Sequence, residues 1–389
     1  MSQAGQTRLT RIETATRMTA MHNKGTSNIA ATEDPAAQAA MAGLVYVSDN
    51  EPGIRRIRKG EAFQYIGPDE KPLTDQAELQ RIASLAIPPA YDDVWICMNA
   101  QGHLQATGID ARMRKQYRYH PDWRMVRDSI KFDRMAEFGE ALPGLRQQLQ
   151  HDLRRRGLPR EKVLAAIVTL LDTTRVRIGN LSYARDNRSF GLTTLRKRHL
   201  SSLSKRRAVL RFKGKSGVGH EVEITDRRIV KIIHDCQQLR GQHLFQYLDE
   251  DGKRHAVNAE QVNSYLHEVM GADFTAKDFR TWGATLRAFE LMLETPLPEK
   301  LSKRRLQACV ISAIRKVAEE LRNTVAVCRK SYINPLVFTA WQTGILHQYR
   351  QEEESMQEQL ENRILAFLRS EHPDQDGKGR DSRDSQGKG

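Results

Sequence analysis

Tyr332 closes the run Asn323-Thr324-Val325-Ala326-Val327-Cys328-Arg329-Lys330-Ser331-Tyr332, and its phenol becomes a candidate nucleophile only if the fold brings cations to its hydroxyl. A free phenol has a pKa of about 10, so preparing its anion at neutral pH costs about 4 kcal/mol. Nearby cations reduce that cost. Taken alone, a tyrosine after two basic residues is usually a packed side chain with its hydroxyl at the surface. The chemical reading therefore needs arginines and a lysine delivered from distant parts of the chain. Arg175 and Arg177, in Thr173-Thr174-Arg175-Val176-Arg177-Ile178-Gly179-Asn180, end an apolar helix before a Gly-Asn turn, which aims them at a cleft wall or lets them snorkel into water. Lys215 stands in Gly214-Lys215-Ser216-Gly217-Val218-Gly219, a lysine displayed at a flexible tip. Asn323 either caps the helix before it or offers an amide to an anion.

Composition narrows the partners. The chain has 389 residues, 62 Lys plus Arg against 48 Asp plus Glu, a formal net charge of +14 and a pI near 9.7. Such an excess favours a polyanion, with DNA or RNA ahead of an anionic membrane surface. No apolar run reaches membrane-spanning length and the N-terminus has no secretory apolar core, so an intracellular protein is expected. Cys97, Cys236, Cys309 and Cys328 form no Cys-x-x-Cys pair, and the 12 histidines show no His-Glu-x-x-His spacing. Neither structural zinc nor a catalytic metal is expected. Gly214-Lys215-Ser216 resembles a fragment of a phosphate-binding loop, but Val209 occupies the place of that motif's first glycine and no strand-to-helix crossover follows. A nucleotide site is rejected.

The patterning predicts an α+β fold. Residues 1–42 carry no sustained apolar period and are expected to be disordered. Residues 43–126 read as a small, mainly antiparallel β domain: Leu44–Val47, Ile54–Arg58, Ala62–Ile66, Val94–Met98 and His103–Thr107 are strand-like, with one helix capped at Asp75 and boxed by Glu78. The domain closes on Ala111 to Trp123, where cations and rings alternate as they do in segments that grip phosphates. A strand with a solvated charged face is the competing reading. Residues 127–345 read as mainly helical, with a break expected at Pro143-Gly144 and a buried helix over Glu161–Leu171. Ala208–Lys213 and His220–Thr225 form a hairpin, Asn258–Met270 and Gly283–Leu293 are helical, and another helix starts at Pro298. A C-terminal helix is expected within 346–369 and a disordered tail over 370–389.

With these motifs assembled, the chain resembles the type IB DNA topoisomerases of the compact poxvirus and bacterial kind, over roughly Gly43 to Trp341. The order and spacing of the motifs carry the resemblance. It implies two domains forming a clamp around duplex DNA. It assigns a first catalytic arginine to Arg177, a hairpin lysine to Lys215, a second arginine to Arg280 in Lys277-Asp278-Phe279-Arg280-Thr281-Trp282, and the nucleophile to Tyr332. Gln116, Tyr117, Tyr119, Tyr183, Thr194 and Lys277 resemble family positions that contact DNA. Many members have a histidine nine residues before the tyrosine; this chain has Asn323 there. An amide can donate to a phosphate oxygen but brings no imidazolium charge and no acid–base function.

The activity so implied is relaxation of supercoiled DNA through a 3′-phosphotyrosyl intermediate, without ATP, metal or other cofactor, by a monomer in the cytoplasm, associated with the nucleoid. Two alternatives remain at this level. Tyrosine recombinases use a similar arginine, lysine and tyrosine set, but usually carry a histidine three residues before the second arginine, where Lys277 stands here, and commonly a helical N-terminal domain. A non-catalytic architectural DNA-binding protein would also account for the charge.

Overall fold

The computed structural model describes residues 34–111, 113–298, 302–350 and 357–370. It divides into two compact units with their boundary at Asp133 and Arg134, seven residues beyond the expected one.

The first unit is built on a five-stranded antiparallel sheet. Helix α1 (Pro35–Met41) precedes strands β1 (Ile54–Lys59) and β2 (Ala62–Ile66), helix α2 (Gln76–Ser84), strands β3 (Asp92–Ile96), β4 (Leu104–Ile109) and β5 (Lys115–Tyr119), and helix α3 (Pro121–Asp133). The sheet order is β2-β1-β3-β4-β5. Ile82 of α2 packs on Ile54, Val94, Ile96 and Ala106 of the sheet. Asp75 caps α2 by accepting from the Ala77 amide at 2.9 Å. Glu78 does not complete a capping box, because its carboxylate is taken by Arg81, whose Nε donates at 2.9 Å.

Two expectations in this unit are corrected. Residues 35–42 were expected to be disordered, yet α1 forms; the residues before 34 lie outside the described ones. Seven residues are too few for an isolated helix, and its support is tertiary: Ala39 packs with Leu44 and Trp123, and Gln38 Oε1 accepts from Arg127 at 3.0 Å. Leu44–Val47 makes only an isolated bridge, Val45 to Gly102, instead of a strand. The Val47 amide there donates to His103 Nδ1 at 3.1 Å, a side chain, where a strand would need a neighbouring carbonyl.

The second unit is mainly helical. It contains α4 (Met135–Leu153), α5 (Arg160–Thr174) and α6 (Leu181–Asp186), then β6 (Leu200–Leu203), β7 (Ala208–Lys213) and β8 (Gly219–Ile224), joined as one antiparallel sheet in that order. Helix α7 (Arg227–Gln238), the short hairpin β9 (Gln246–Leu248) and β10 (Arg254–Ala256), and helices α8 (Ala259–Met270), α9 (Asp278–Glu294), α10 (Lys303–Glu320), α11 (Val325–Ser331), α12 (Leu336–Gln342) and α13 (Gln357–Ser370) follow. The predicted hairpin is thus two strands of three, the third being β6.

The break expected at Pro143 is absent. Helix α4 runs through it because Leu142, Leu145 and Leu149 are at most 3% exposed; burying them outweighs the ~3 kcal/mol that an interior proline costs. The helix predicted to start at Pro298 begins instead at Lys303, where the Ser302 side chain accepts from the Arg305 amide. Residues 351–356, within the span where the C-terminal helix was expected, lie outside the described residues, as does the tail beyond Ser370. Helix α13 is fixed to the helical unit by Arg146, which bonds both Asp172 and Glu361.

Candidate active site

Helix α5 is buried over Val163–Val168 and stops at Arg175, whose φ of 54° is left-handed. A side chain in that conformation costs roughly 1–2 kcal/mol. What it achieves is to turn the Arg175 carbonyl toward α9, where it accepts from Arg280 Nη1. Arg280 Nη2 donates at 3.0 Å to the carbonyl of Leu321, at the end of α10. Arg280 is 3% exposed, and Nε has no partner among the described residues. Of the five guanidinium donors, two hold the fold together through these carbonyls.

Tyr332 follows α11, whose end is clipped to α9 by Thr285. That buried hydroxyl donates to the Tyr332 carbonyl at 3.1 Å and accepts from the Asn334 amide at 3.0 Å. The phenol ring lies with its centroid 5.1 Å from Arg280 Cζ, a cation–π distance. Burial pushes the Tyr332 hydroxyl up, but the Arg280 and Arg177 charges, a hydrogen bond from Arg280 and the charge of Lys277 outweigh it and leave the phenol below its ordinary value. Burial and the neighbouring Arg177 charge lower the pKa of Arg280 in turn, opposed by Tyr332.

Arg177 is placed by a close backbone approach. Its carbonyl accepts from the Leu192 amide at 3.0 Å, and Ile178 accepts from Thr193 at 2.8 Å. A Cβ on Gly191 would lie 2.5 Å from the Arg177 carbonyl oxygen and 2.4 Å from the Gly179 nitrogen, so only glycine fits there. Arg177 Nη2 donates to Asn323 Oδ1. Asn323 serves twice, since its own amide closes α10 by donating to the Ala318 carbonyl at 2.8 Å. Its Nδ2 is buried with no partner within ordinary hydrogen-bond geometry among the described residues, and it faces the Cys328 thiol, which burial pushes up against the opposing effect of the Arg280 charge, the Asn323 side chain and the Arg177 charge.

Four of the five expected site residues, Arg177, Arg280, Asn323 and Tyr332, therefore converge. Among the described residues Lys215 does not join them by any hydrogen bond or ion pair: it is exposed at the β7–β8 tip. Lys277 and Tyr183 are exposed, Lys277 at the start of α9 and Tyr183 in α6 at 37%. Thr194 is 2% exposed and its hydroxyl both accepts from and donates to Gly191. It holds the turn that places Arg177. In the first unit, Tyr117 and Tyr119 of β5 stack at 6.0 Å and Gln116 Nε2 donates to Asp110 at 3.1 Å. Thr285 and the left-handed Arg175 were not legible in the sequence: a buried threonine inside an apolar helix, and an arginine where glycine is usual, carry no pattern of their own.

Among the described residues no cluster of three or more His, Cys, Asp or Glu is arranged to hold a metal, and no helix is long and apolar enough to cross a membrane. Nor does any carboxylate pair with Arg177, Arg280 or Lys215, whereas Arg146, Arg155, Arg207, Arg211, Arg228 and Arg287 all have acidic partners. Two guanidiniums held beside a phenol and left without carboxylates form a site for an external anion.

Residues 120–360 match the family model described as eukaryotic DNA topoisomerase I, catalytic core, and residues 62–110 match that of the bacterial DNA topoisomerase IB N-terminal domain. The chain is 34% identical to DNA topoisomerase 1B of Acanthamoeba polyphaga mimivirus over 286 residues, covering 72% of this chain and 85% of the viral protein. It is 22% identical to DNA topoisomerase 1B of Vaccinia virus (strain Copenhagen) over 251 residues, 62% of this chain and 73% of that protein. These matches span both units, and the chain belongs to the type IB DNA topoisomerase family.

Proposed function

We propose that this DNA topoisomerase cuts one strand of duplex DNA by attack of the Tyr332 hydroxyl oxygen on a backbone phosphorus, the phenol proton passing to water. The new Tyr–O–P bond forms as the P–O5′ bond breaks, leaving the protein on the 3′ phosphate and a free 5′ hydroxyl. The exchanged bonds are of similar energy, so reversal reseals the strand without ATP. While it is open, the free end rotates about the intact strand and torsional stress is released.

The observation that carries this reading is the phenol beside Arg280 and Arg177, two cations with no carboxylate partner among the described residues. Negative charge grows on the non-bridging oxygens in the pentavalent transition state. Guanidinium donors fixed there before the reaction stabilise it without reorganisation, the task that metal ions perform in many phosphoryl-transfer enzymes. Lys215 supplies the proton to the departing O5′ as general acid. Asn323 orients Arg177 through its carbonyl and leaves its Nδ2 donor for a phosphate oxygen. Gln116, Tyr117, Tyr119, Tyr183 and Lys277 contact the DNA backbone and sugars. All five groups of the chemical step lie within one chain, as action by a monomer requires, and resealing by reversal of the same exchange calls for no bound nucleotide.

The test is relaxation of supercoiled plasmid in chelator without ATP, with detergent trapping of the covalent adduct. The parent protein relaxes the plasmid and gives the adduct, and Tyr332→Phe gives neither. Equal behaviour of the two proteins would refute the assignment of Tyr332.

A further inference from the structure

The hairpin that carries Lys215 is held at its neck by a histidine to which no role has yet been given. His220 of β8 lies directly across from Phe212 of β7, and their rings stack with centroids 5.0 Å apart and planes 4° from parallel. The imidazole is 9% exposed. It also fills the space over Gly214, the residue immediately before Lys215: a Cβ built there would meet His220 Nε2 at 2.6 Å and Cδ2 at 2.7 Å. The tip beyond is closed only by its own backbone, with the Gly214 amide donating to Val218 at 2.8 Å and the Gly217 amide to Gly214 at 3.1 Å. The Lys215 side chain is exposed, so the tip's direction is set at the neck.

The same ring lines a groove of about 640 Å³ together with Phe190, His199, Phe212, Lys213 and Arg322. Arg322 directly precedes Asn323, so this wall of the groove reaches the chemical site. Burial, and then the charges of Arg177, Arg322 and Arg280, hold the imidazole down at about 4. The ring is therefore neutral at physiological pH and can lie beside three cations without repelling them.

We propose that His220 is a positioning residue for the reaction: packed between the Phe212 ring and the Gly214 backbone, it fixes the hairpin neck so that Lys215 Nζ reaches the departing O5′. This rests on the reading of Lys215 as general acid. Removing the ring leaves a void under Gly214 and lets the tip sample directions in which Lys215 misses the leaving oxygen. A misplacement on the order of 1 Å costs up to about 100-fold.

The test measures single-turnover cleavage of a duplex carrying a cleavage site mapped on plasmid DNA, made with either oxygen or sulfur at the 5′ bridging position of the scissile phosphate. When the P–S5′ bond breaks, the thiolate departs with its electron pair and needs no proton, so losses confined to proton donation vanish on the sulfur substrate. His220→Ala is expected to cleave the oxygen substrate about 10- to 100-fold more slowly than the parent and to regain most of the parent rate on sulfur, as Lys215→Ala does. Gly214→Ala reaches the same contact from the other side. Its φ of −91° accommodates a side chain, so any effect comes from the new Cβ displacing the imidazole, and the same oxygen-specific loss is expected.

His220→Phe keeps a flat ring and stays close to the parent on both substrates. If it is instead as slow as His220→Ala, the ring nitrogens matter and positioning by packing is wrong. If Lys215→Ala regains its rate on sulfur while His220→Ala and Gly214→Ala are equally slow on both substrates, or unimpaired on both, the role of His220 is refuted and that of Lys215 stands. If Lys215→Ala is equally slow on both, the general-acid reading fails and the positioning role falls with it. Should His220→Ala fail to fold, Gly214→Ala and His220→Phe still decide the question.

Discussion

Arg280 and Lys215 are both cations without a carboxylate partner among the described residues, yet the fold treats them in opposite ways. Arg280 is 3% exposed and fastened by two carbonyls from distant segments, Arg175 and Leu321. Lys215 stands on a five-residue tip between β7 and β8, in solvent, with no side-chain bond to another described residue. The contrast follows the chemistry each is proposed to serve. Charge stabilisation of a transition state gains from donors that are fixed and desolvated before the reaction begins. A proton donor must reach an atom that moves away as its bond breaks, and a lysine on a hairpin can follow it. Rigid anchoring on one side and a guided, mobile arm on the other divide one reaction between core and surface.

The sharpest way to break this comparison is to remove Arg280. Arg280→Met should slow single-turnover cleavage by about 10³- to 10⁵-fold, the range for arginines that neutralise a transferring phosphoryl group. Its effect on stability separates the two cations further. Arg280 is buried beside Arg177 with its pKa lowered by burial and by that charge, so the folded protein carries an uncompensated cation that methionine would relieve. The two carbonyls lose their donors, at roughly 1–3 kcal/mol each, against several kcal/mol for a buried, unpaired charge. The melting temperature of Arg280→Met should be no lower than the parent's. A clear fall in thermal unfolding would show that Arg280 is held for structure first.

Lys215→Ala comes next in size. Loss of a general acid costs about 10²- to 10⁴-fold, while an exposed side chain with no partner should change stability by no more than about 0.5 kcal/mol. Chemical denaturation and single-turnover cleavage of the same preparation check both halves. A substantial loss of stability would mean that the tip is packed in solution.

Legibility in the sequence divides along similar lines. The hairpin announced Lys215 because strand alternation and a Gly-rich turn are local patterns, and the sheet of the first unit was legible for the same reason. Arg280 could not be read from its neighbours: it lies in the first turn of α9 within a nearly continuous run of buried residues, Phe279 to Leu286, and only the resemblance singled it out. Its anchors are carbonyls presented by a left-handed arginine and by the end of α10, features of backbone geometry that residue types do not encode. Pro143 failed as a break because tertiary burial overrode a local rule. Thr194 was legible as a site-region residue, but its two hydrogen bonds to Gly191 were not. Position in a motif is visible in sequence, and the direction a side chain faces is not.

Asn323 gives the smallest expected effects and tests whether the arginine side depends on positioning or on charge. Its carbonyl accepts from Arg177, and a hydrogen bond to a charged group is worth about 1.5–3 kcal/mol net. Asn323→Ala should therefore slow cleavage by about 10- to 100-fold. Asn323→His keeps an acceptor for Arg177 on a neutral imidazole, and protonation there would be opposed by the adjacent Arg177 and Arg280 charges, so activity should be retained within about tenfold. The Tyr332 phenol supplies an independent readout. Its pKa lies below the ordinary value largely through Arg280 and Arg177, against burial. Absorbance titration of the parent minus Tyr332→Phe should show ionisation below pH ~10, and Arg177→Ala should move that ionisation upward, because removing a cation disfavours the phenolate. Asn323→Ala leaves the charge of Arg177 in place and should move it much less. If Asn323→Ala raises the phenol as far as Arg177→Ala does, the amide acts by fixing where the guanidinium charge sits. A large loss of cleavage with no shift of the phenol would instead assign Asn323 to the phosphate through Nδ2.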